Sequence, residues 1–300
     1  MAIVSLFMVV AFSSCDEDED NTEITDPNGN SDIYTPPANL SQEDIVEVLS
    51  EAFKNFYKEK KFRGIGITSQ ATDTIKFSYE YDFEAKKMLT VGYMDISSER
   101  IRSITYIEGG TEYFYMANNQ LETKQKRKVP DTYISSILEE TRTMSLTKID
   151  SVLLSYTWKV EENDFKGVSA TTTAIYRLTG NKKLAFSSTK IAIDNGIVLS
   201  SEYTYSYDNI NPALPSGFKK EDFEAIAQYD VTVVWEDGSS NTFYSREIKD
   251  GKGDFYPSDV TNYTLVTSGK TLALYTDAAR TIRYTATYIT QNTTLYARWE

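Results

Sequence analysis

Thr74-Ile75-Lys76-Phe77-Ser78-Tyr79-Glu80-Tyr81-Asp82-Phe83 alternates large apolar side chains with charged or small polar ones without a break. A period of two sends successive side chains to opposite faces of a strand. Ile75, Phe77, Tyr79, Tyr81 and Phe83 therefore share a buried face, and Lys76, Ser78, Glu80 and Asp82 a wet one. Upstream the period is different. Ser41-Gln42-Glu43-Asp44 has the form of a capping box, and Ile45, Val48, Leu49, Ala52, Phe53, Phe56 and Tyr57 follow at the spacing of one helical face. Downstream, turn signals recur at Asp82 to Ala85, Glu108-Gly109-Gly110, Ala117-Asn118-Asn119, Thr179-Gly180-Asn181 and Asp194-Asn195-Gly196, each between strand-like runs. Such spacing predicts an antiparallel meander. Pro130 and Asp131 precede Ile134, Ile137, Leu138 and Thr141, which predicts a second, shorter helix between two groups of strands. No helix-after-strand repeat is present, so a parallel Rossmann-like sheet is not expected. The expected class is α+β: an antiparallel domain with an N-terminal helix over residues 41–220, then a small domain over 229–300. Pro212 to Gly217 marks the boundary, and Lys219 to Ala227 reads as a short connecting helix.

Tyrosine, at 22 copies, is well above its usual share. Tyr203, Tyr205 and Tyr207 share one face of a strand, as Tyr79 and Tyr81 do of another. With Phe77 these six are the candidate ligand-binding residues, able to stack sugars or line an acyl cavity; cross-strand packing in an ordinary core explains the same pattern. Lys124, Lys126, Arg127 and Lys128 form the one dense basic cluster, suited to lipid phosphates or to guarding a sheet edge.

The formal charge is -13, and Asp16, Glu17, Asp18, Glu19, Asp20, Glu23, Asp26 and Asp32 carry eight of those negatives with no Lys or Arg before Leu40. What remains is mildly acidic, without a basic stripe, so nucleic acid is not an expected partner. The chain has no histidine, which removes the commonest general base and metal ligand. No nucleophile motif or phosphate loop appears, and no catalytic residue, cofactor or metal is expected. A carboxylate pair of the glycoside-hydrolase kind leaves no local signature and stays open as the enzymatic alternative.

Met1 to Ser14 is an uncharged apolar run, shorter than the ~20 residues that span a bilayer. Phe12-Ser13-Ser14-Cys15 resembles a bacterial lipobox, although no Lys or Arg stands before the apolar run. The resemblance implies that residues 1–14 are a lipoprotein signal peptide and that Cys15 carries fatty acyl chains such as palmitate. An ordinary signal peptide beside a coincidental cysteine is the alternative. Asp16-Glu17-Asp18-Glu19-Asp20 resembles the acidic export tag of surface lipoproteins in Bacteroides-type bacteria, implying a lipid-anchored position on the outer membrane at the cell surface. Read as chemistry alone, residues 15–40 are an acidic, extended, disordered tether.

Two further resemblances concern the folded parts. The element order from Leu40 to Lys220 is similar to that of the lipoprotein-carrier half-barrels, whose sheets hold acyl chains beneath helices. Tyr229 to Val234 with Trp235-Glu236-Asp237-Gly238, Leu274-Tyr275-Thr276-Asp277 and Thr294-Leu295-Tyr296-Ala297-Arg298-Trp299 resemble the Listeria-Bacteroides repeat, also called the internalin B-repeat, a β-grasp surface module. The chain departs from that family's pattern at Thr267 to Leu274, where a Gly-Tyr pair and a Gly-Trp are usual. Together they imply a non-enzymatic binding or scaffold protein, with lipid in the first domain. Capture of a glycan or a surface protein is the alternative, and the named aromatic residues serve either.

Overall fold

A computed structural model describes Tyr34, Pro37 and residues 40–300, apart from 71–72, 97–98, 135–150, 154–156, 166–167, 194–197 and 262–269. Helix α1 (Gln42–Lys58) begins with a reciprocal cap: the Asp44 amide donates to Ser41 Oγ at 3.2 Å and the Ser41 amide to Asp44 Oδ2 at 3.0 Å. Ile45, Val48, Leu49, Ala52 and Phe56 are buried along one face. The expected second helix shows only its first residues, Tyr133 and Ile134; the rest lies outside the described residues.

Strands follow almost without interruption: β1 (Lys61–Gln70), β2 (Asp73–Asp82), β3 (Lys87–Ile96), β4 (Glu99–Glu108), β5 (Thr111–Ala117), β6 (Glu122–Lys128), β7 (Ser151–Leu153), β8 (Thr157–Phe165), β9 (Val168–Leu178), β10 (Leu184–Ile193), β11 (Val198–Ser206) and β12 (Glu224–Ala225). They form one twelve-stranded sheet in the order β12-β6-β5-β4-β3-β2-β1-β11-β10-β9-β8-β7. This corrects the expected α+β class. With 51% of residues in strands and 12% helical, the protein is mostly β. The physical reason is connectivity. Antiparallel neighbours are joined by tight turns and need no helical crossover, so the chain spends its length on strands.

By Cα proximity the chain divides into two units. The first comprises Met1–Thr105, Tyr115–Thr123 and Met144–Ala213. In its centre β1 pairs antiparallel with β2 and with β11, and the register is continuous over both ladders. Gly64, Gly66 and Thr68 point to the buried face, while Ile65 and Ile67 on the other face are 53% and 41% exposed.

The second unit is built from Tyr106–Phe114, Lys124–Thr143 and Leu214–Glu300. The expected connecting helix is reduced to a single 3-10 turn, Lys220–Asp222, after which the chain extends as β12 and pairs parallel with β6. Phe223, 2% exposed, sits against Tyr113 and Phe218 and explains why the helix stops. Beyond it, β13 (Asp230–Val234), β14 (Ser240–Tyr244), β17 (Leu272–Tyr275) and β19 (Thr293–Trp299) form a sheet ordered β14-β13-β19-β17, with β13 and β19 parallel. A smaller sheet joins β15 (Ile248–Lys249), β16 (Lys252–Asp254) and β18 (Tyr288–Ile289), and α2 (Pro257–Thr261) adds one turn of helix. Val231, Val233, Phe243, Phe255, Val260, Leu274 and Leu295 make its core. Arg280 fastens it: Nε donates to the Ala297 carbonyl at 2.9 Å and a terminal nitrogen to the Trp235 carbonyl at 2.8 Å.

Candidate functional site: the aromatic face of the large sheet

Register assembles the site. Across β11, β1 and β2, Tyr203 stands beside Gly66 and Gly66 beside Phe77; one step along, Tyr205, Gly64 and Tyr79 line up in the same way. Phe62 then faces Tyr81. Because β1 offers only hydrogens at Gly64 and Gly66, rings from both neighbouring strands lean into the space above it. A Cβ added at Gly66 would lie 2.6 Å from Phe77 Cζ and 3.0 Å from Tyr203 Cδ1, and one at Gly64 would lie 2.6 Å from Tyr79 Cε2. On β3, Gly92 stands opposite Phe77 in register.

The rings touch in series. Phe77 and Tyr79 are 5.9 Å apart, Tyr79 and Tyr81 5.6 Å, Phe77 and Tyr203 5.6 Å, and Tyr203 and Tyr205 6.3 Å. These separations are those of attractive aromatic pairs. Helix α1 supplies the ceiling at one end. Phe56 packs on Phe62 at 4.7 Å, Tyr205 at 5.3 Å and Tyr207 at 6.5 Å, and Phe53 meets Tyr176 of β9 edge-on at 5.4 Å.

The Tyr205 and Tyr207 hydroxyls are engaged within the protein. Tyr207 donates to the Leu184 carbonyl at 2.7 Å, Tyr205 and Ser187 hydroxyls are 3.1 Å apart, and Thr68 and Ser201 hydroxyls are also 3.1 Å apart. Burial raises the pKa of Tyr79, Tyr81, Tyr203, Tyr205 and Tyr207 alike; at Tyr79 the neighbouring Tyr205, Tyr203 and Tyr81 add to it. All five are neutral near pH 7. Phe77 and Tyr81 are buried, whereas Tyr79, Tyr203, Tyr205 and Tyr207 remain half-buried. The Lys183 ammonium lies 4.8 Å from the centre of the Tyr207 ring.

All six residues singled out from sequence therefore lie on one face. Phe56 joins the site from the helical stripe, and Phe62, Tyr176, Thr68 and Ser187 belong to it without having been singled out. The missed signal is Gly64-Ile65-Gly66-Ile67, where glycines at alternate strand positions mark a close approach by something else. Cys15 lies outside the described residues. The basic cluster of β6 is occupied inside the second unit: Arg127 pairs with Glu112, Lys128 Nζ with Asp230 at 2.9 Å, and Lys126 Nζ with the Lys220 carbonyl at 3.3 Å. Lys124 lies 5.8 Å from the Phe218 ring centre. Among the described residues no group of three or more His, Cys, Asp or Glu side chains is placed to hold a metal ion. No protein-family model matches the chain, and no curated protein matches it.

Proposed function

We propose that the protein is a lipid-anchored binding protein of the outer-membrane surface, tethered through Cys15, that holds an apolar ligand on the aromatic face without catalysis. An acyl chain is the ligand class that fits best. One observation carries this choice: Tyr205 and Tyr207 keep part of their surface accessible while their hydroxyls are already hydrogen-bonded inside the protein. Such a face offers ring surface and few free donors or acceptors. A sugar needs both, and burying its hydroxyls unpaired is costly; a hydrocarbon chain needs only the first. The exposed Ile65 and Ile67 support a second reading, capture of a protein on the opposite face.

Native mass spectrometry of the full-length Cys15→Ser protein, purified from a lipid-containing bacterial host, tests the ligand. The expected result is a non-covalent acyl species that is lost in Tyr203→Asp while circular dichroism is kept. A ligand-free protein rejects the lipid reading. Labelling with an alkyne fatty acid tests the tether: wild type should incorporate it and Cys15→Ser should not.

A further inference from the structure

The second unit is assembled from stretches far apart in the chain, and its contacts do not require them to belong to one molecule. Glu224 pairs with Gln125 and Ala225 with Lys126. The Ile226 amide donates to the Lys126 carbonyl at 3.0 Å, and the Lys128 amide to Gln228 Oε1 at 2.8 Å. Asp230 holds Lys128, Glu108 holds Lys220, and the Phe223 ring sits 5.5 Å from that of Tyr113. Each of these joins Leu214–Glu300 to Tyr106–Phe114 or Lys124–Thr143.

The covalent lead into Leu214–Glu300 is the stretch after β11. Among the described residues no hydrogen bond holds residues 208–213 in place, and only Ile210 and Pro212 are buried there. Asn209 has φ of 56°, in the left-handed region that an opened chain would leave. Pro212 and Pro215 push Asn211 and Leu214 towards extended conformations. The hinge is thus biased towards running straight on.

We propose that Leu214–Glu300 exchanges between two copies of this chain, each copy's segment docking on the β6 edge and the β4–β5 tip of the other. Exchange remakes every contact named above with identical residues and alters only the hinge, which is the condition under which swapping costs little. Closed monomer and exchanged dimer are then balanced by protein concentration against the effective concentration of the tethered segment.

In a Cys15→Ser background, one full-length protein carries Gln125→Cys and another Glu224→Cys, positions that face each other in register. The two are unfolded, mixed, refolded together at high concentration and treated with a short bis-maleimide. The expected product has twice the chain mass and joins the two substituted positions. A decoy in which Glu236→Cys, exposed past the far end of β13, replaces Glu224→Cys should give none. A single protein with both substitutions at 125 and 224, refolded dilute, should link within one chain. Linking in that protein but not in the mixture overturns the exchange. Linking with the decoy as readily as with the matched pair also overturns it. Failure to link in either removes the β6–β12 pairing and the proposal with it.

Discussion

Gly64→Ala should destabilise the first unit, chiefly because of Tyr79. The new Cβ would lie 2.6 Å from Tyr79 Cε2, and nearer still to Cζ and the hydroxyl. Carbon contacts are comfortable at about 3.5–4.0 Å, so the ring must retreat by about 1 Å or more. Its retreat is blocked: Tyr81 and Phe77 flank it at 5.6 and 5.9 Å. Overpacking of this kind costs about 1–3 kcal/mol. Replacing a mid-strand glycine by alanine returns about 0.5–1 kcal/mol through the unfolded chain. The net expectation is a loss of about 1–2 kcal/mol, or roughly 2–8 °C in melting temperature for a unit of this size. In a Tyr79→Ala background the three atoms nearest that Cβ are gone, so Gly64→Ala should cost much less than in wild type. Urea denaturation of the four proteins of this cycle, followed by near-UV circular dichroism, should give a coupling of about 1–3 kcal/mol. Additive effects, or a Gly64→Ala protein no less stable than wild type, would refute the placement of Tyr79 over β1.

Three further outcomes are expected. Burial opposes the charge on Asp82, but Lys61 at 2.7 Å and the Ala85 amide at 2.9 Å outweigh it and hold the carboxyl below its ordinary range. A depressed folded pKa gives stability that is complete above the unfolded value near ~3.9 and is lost as pH falls through the folded one. Asp82→Asn should therefore cost about 1 kcal/mol at pH 7, limited by solvent screening at Lys61, and progressively less as pH falls below ~3.9; denaturation midpoints at pH 7 and along the acid limb check this. Gln228→Leu removes the acceptor of the Lys128 amide and the donor to the Ser245 carbonyl, for about 1–2 kcal/mol, and hydrogen exchange at the Lys128 amide should quicken. Arg280→Lys should lower the melting temperature of the C-terminal sheets nearly as much as Arg280→Met, because an ammonium lacks the planar fork that spans the Ala297 and Trp235 carbonyls.

Sequence alone determined what local sterics determine. The capping box at Ser41, the helical stripe from Ile45 to Phe56 and the alternation from Ile75 to Phe83 each depend on residues within a few positions of one another; the structure has the first two as read, and in the third Phe77 and Tyr81 are buried but Asp82, expected on the wet face, is buried too, paired with Lys61. Alternation names a face but not a neighbour. That β1 lies between β2 and β11 is a pairing of residues about 140 positions apart, such as Gly64 with Tyr205. Loop-closure entropy changes slowly with length, so it discriminates weakly among such distant partners. The mostly-β class, the rings drawn in over Gly64 and Gly66, and the return of residues 214–230 to the edge of β6 all follow from lateral pairing. Those choices were left to the tertiary structure, because a strand's hydrogen bonds point sideways to whichever chain segment buries its aromatic face best.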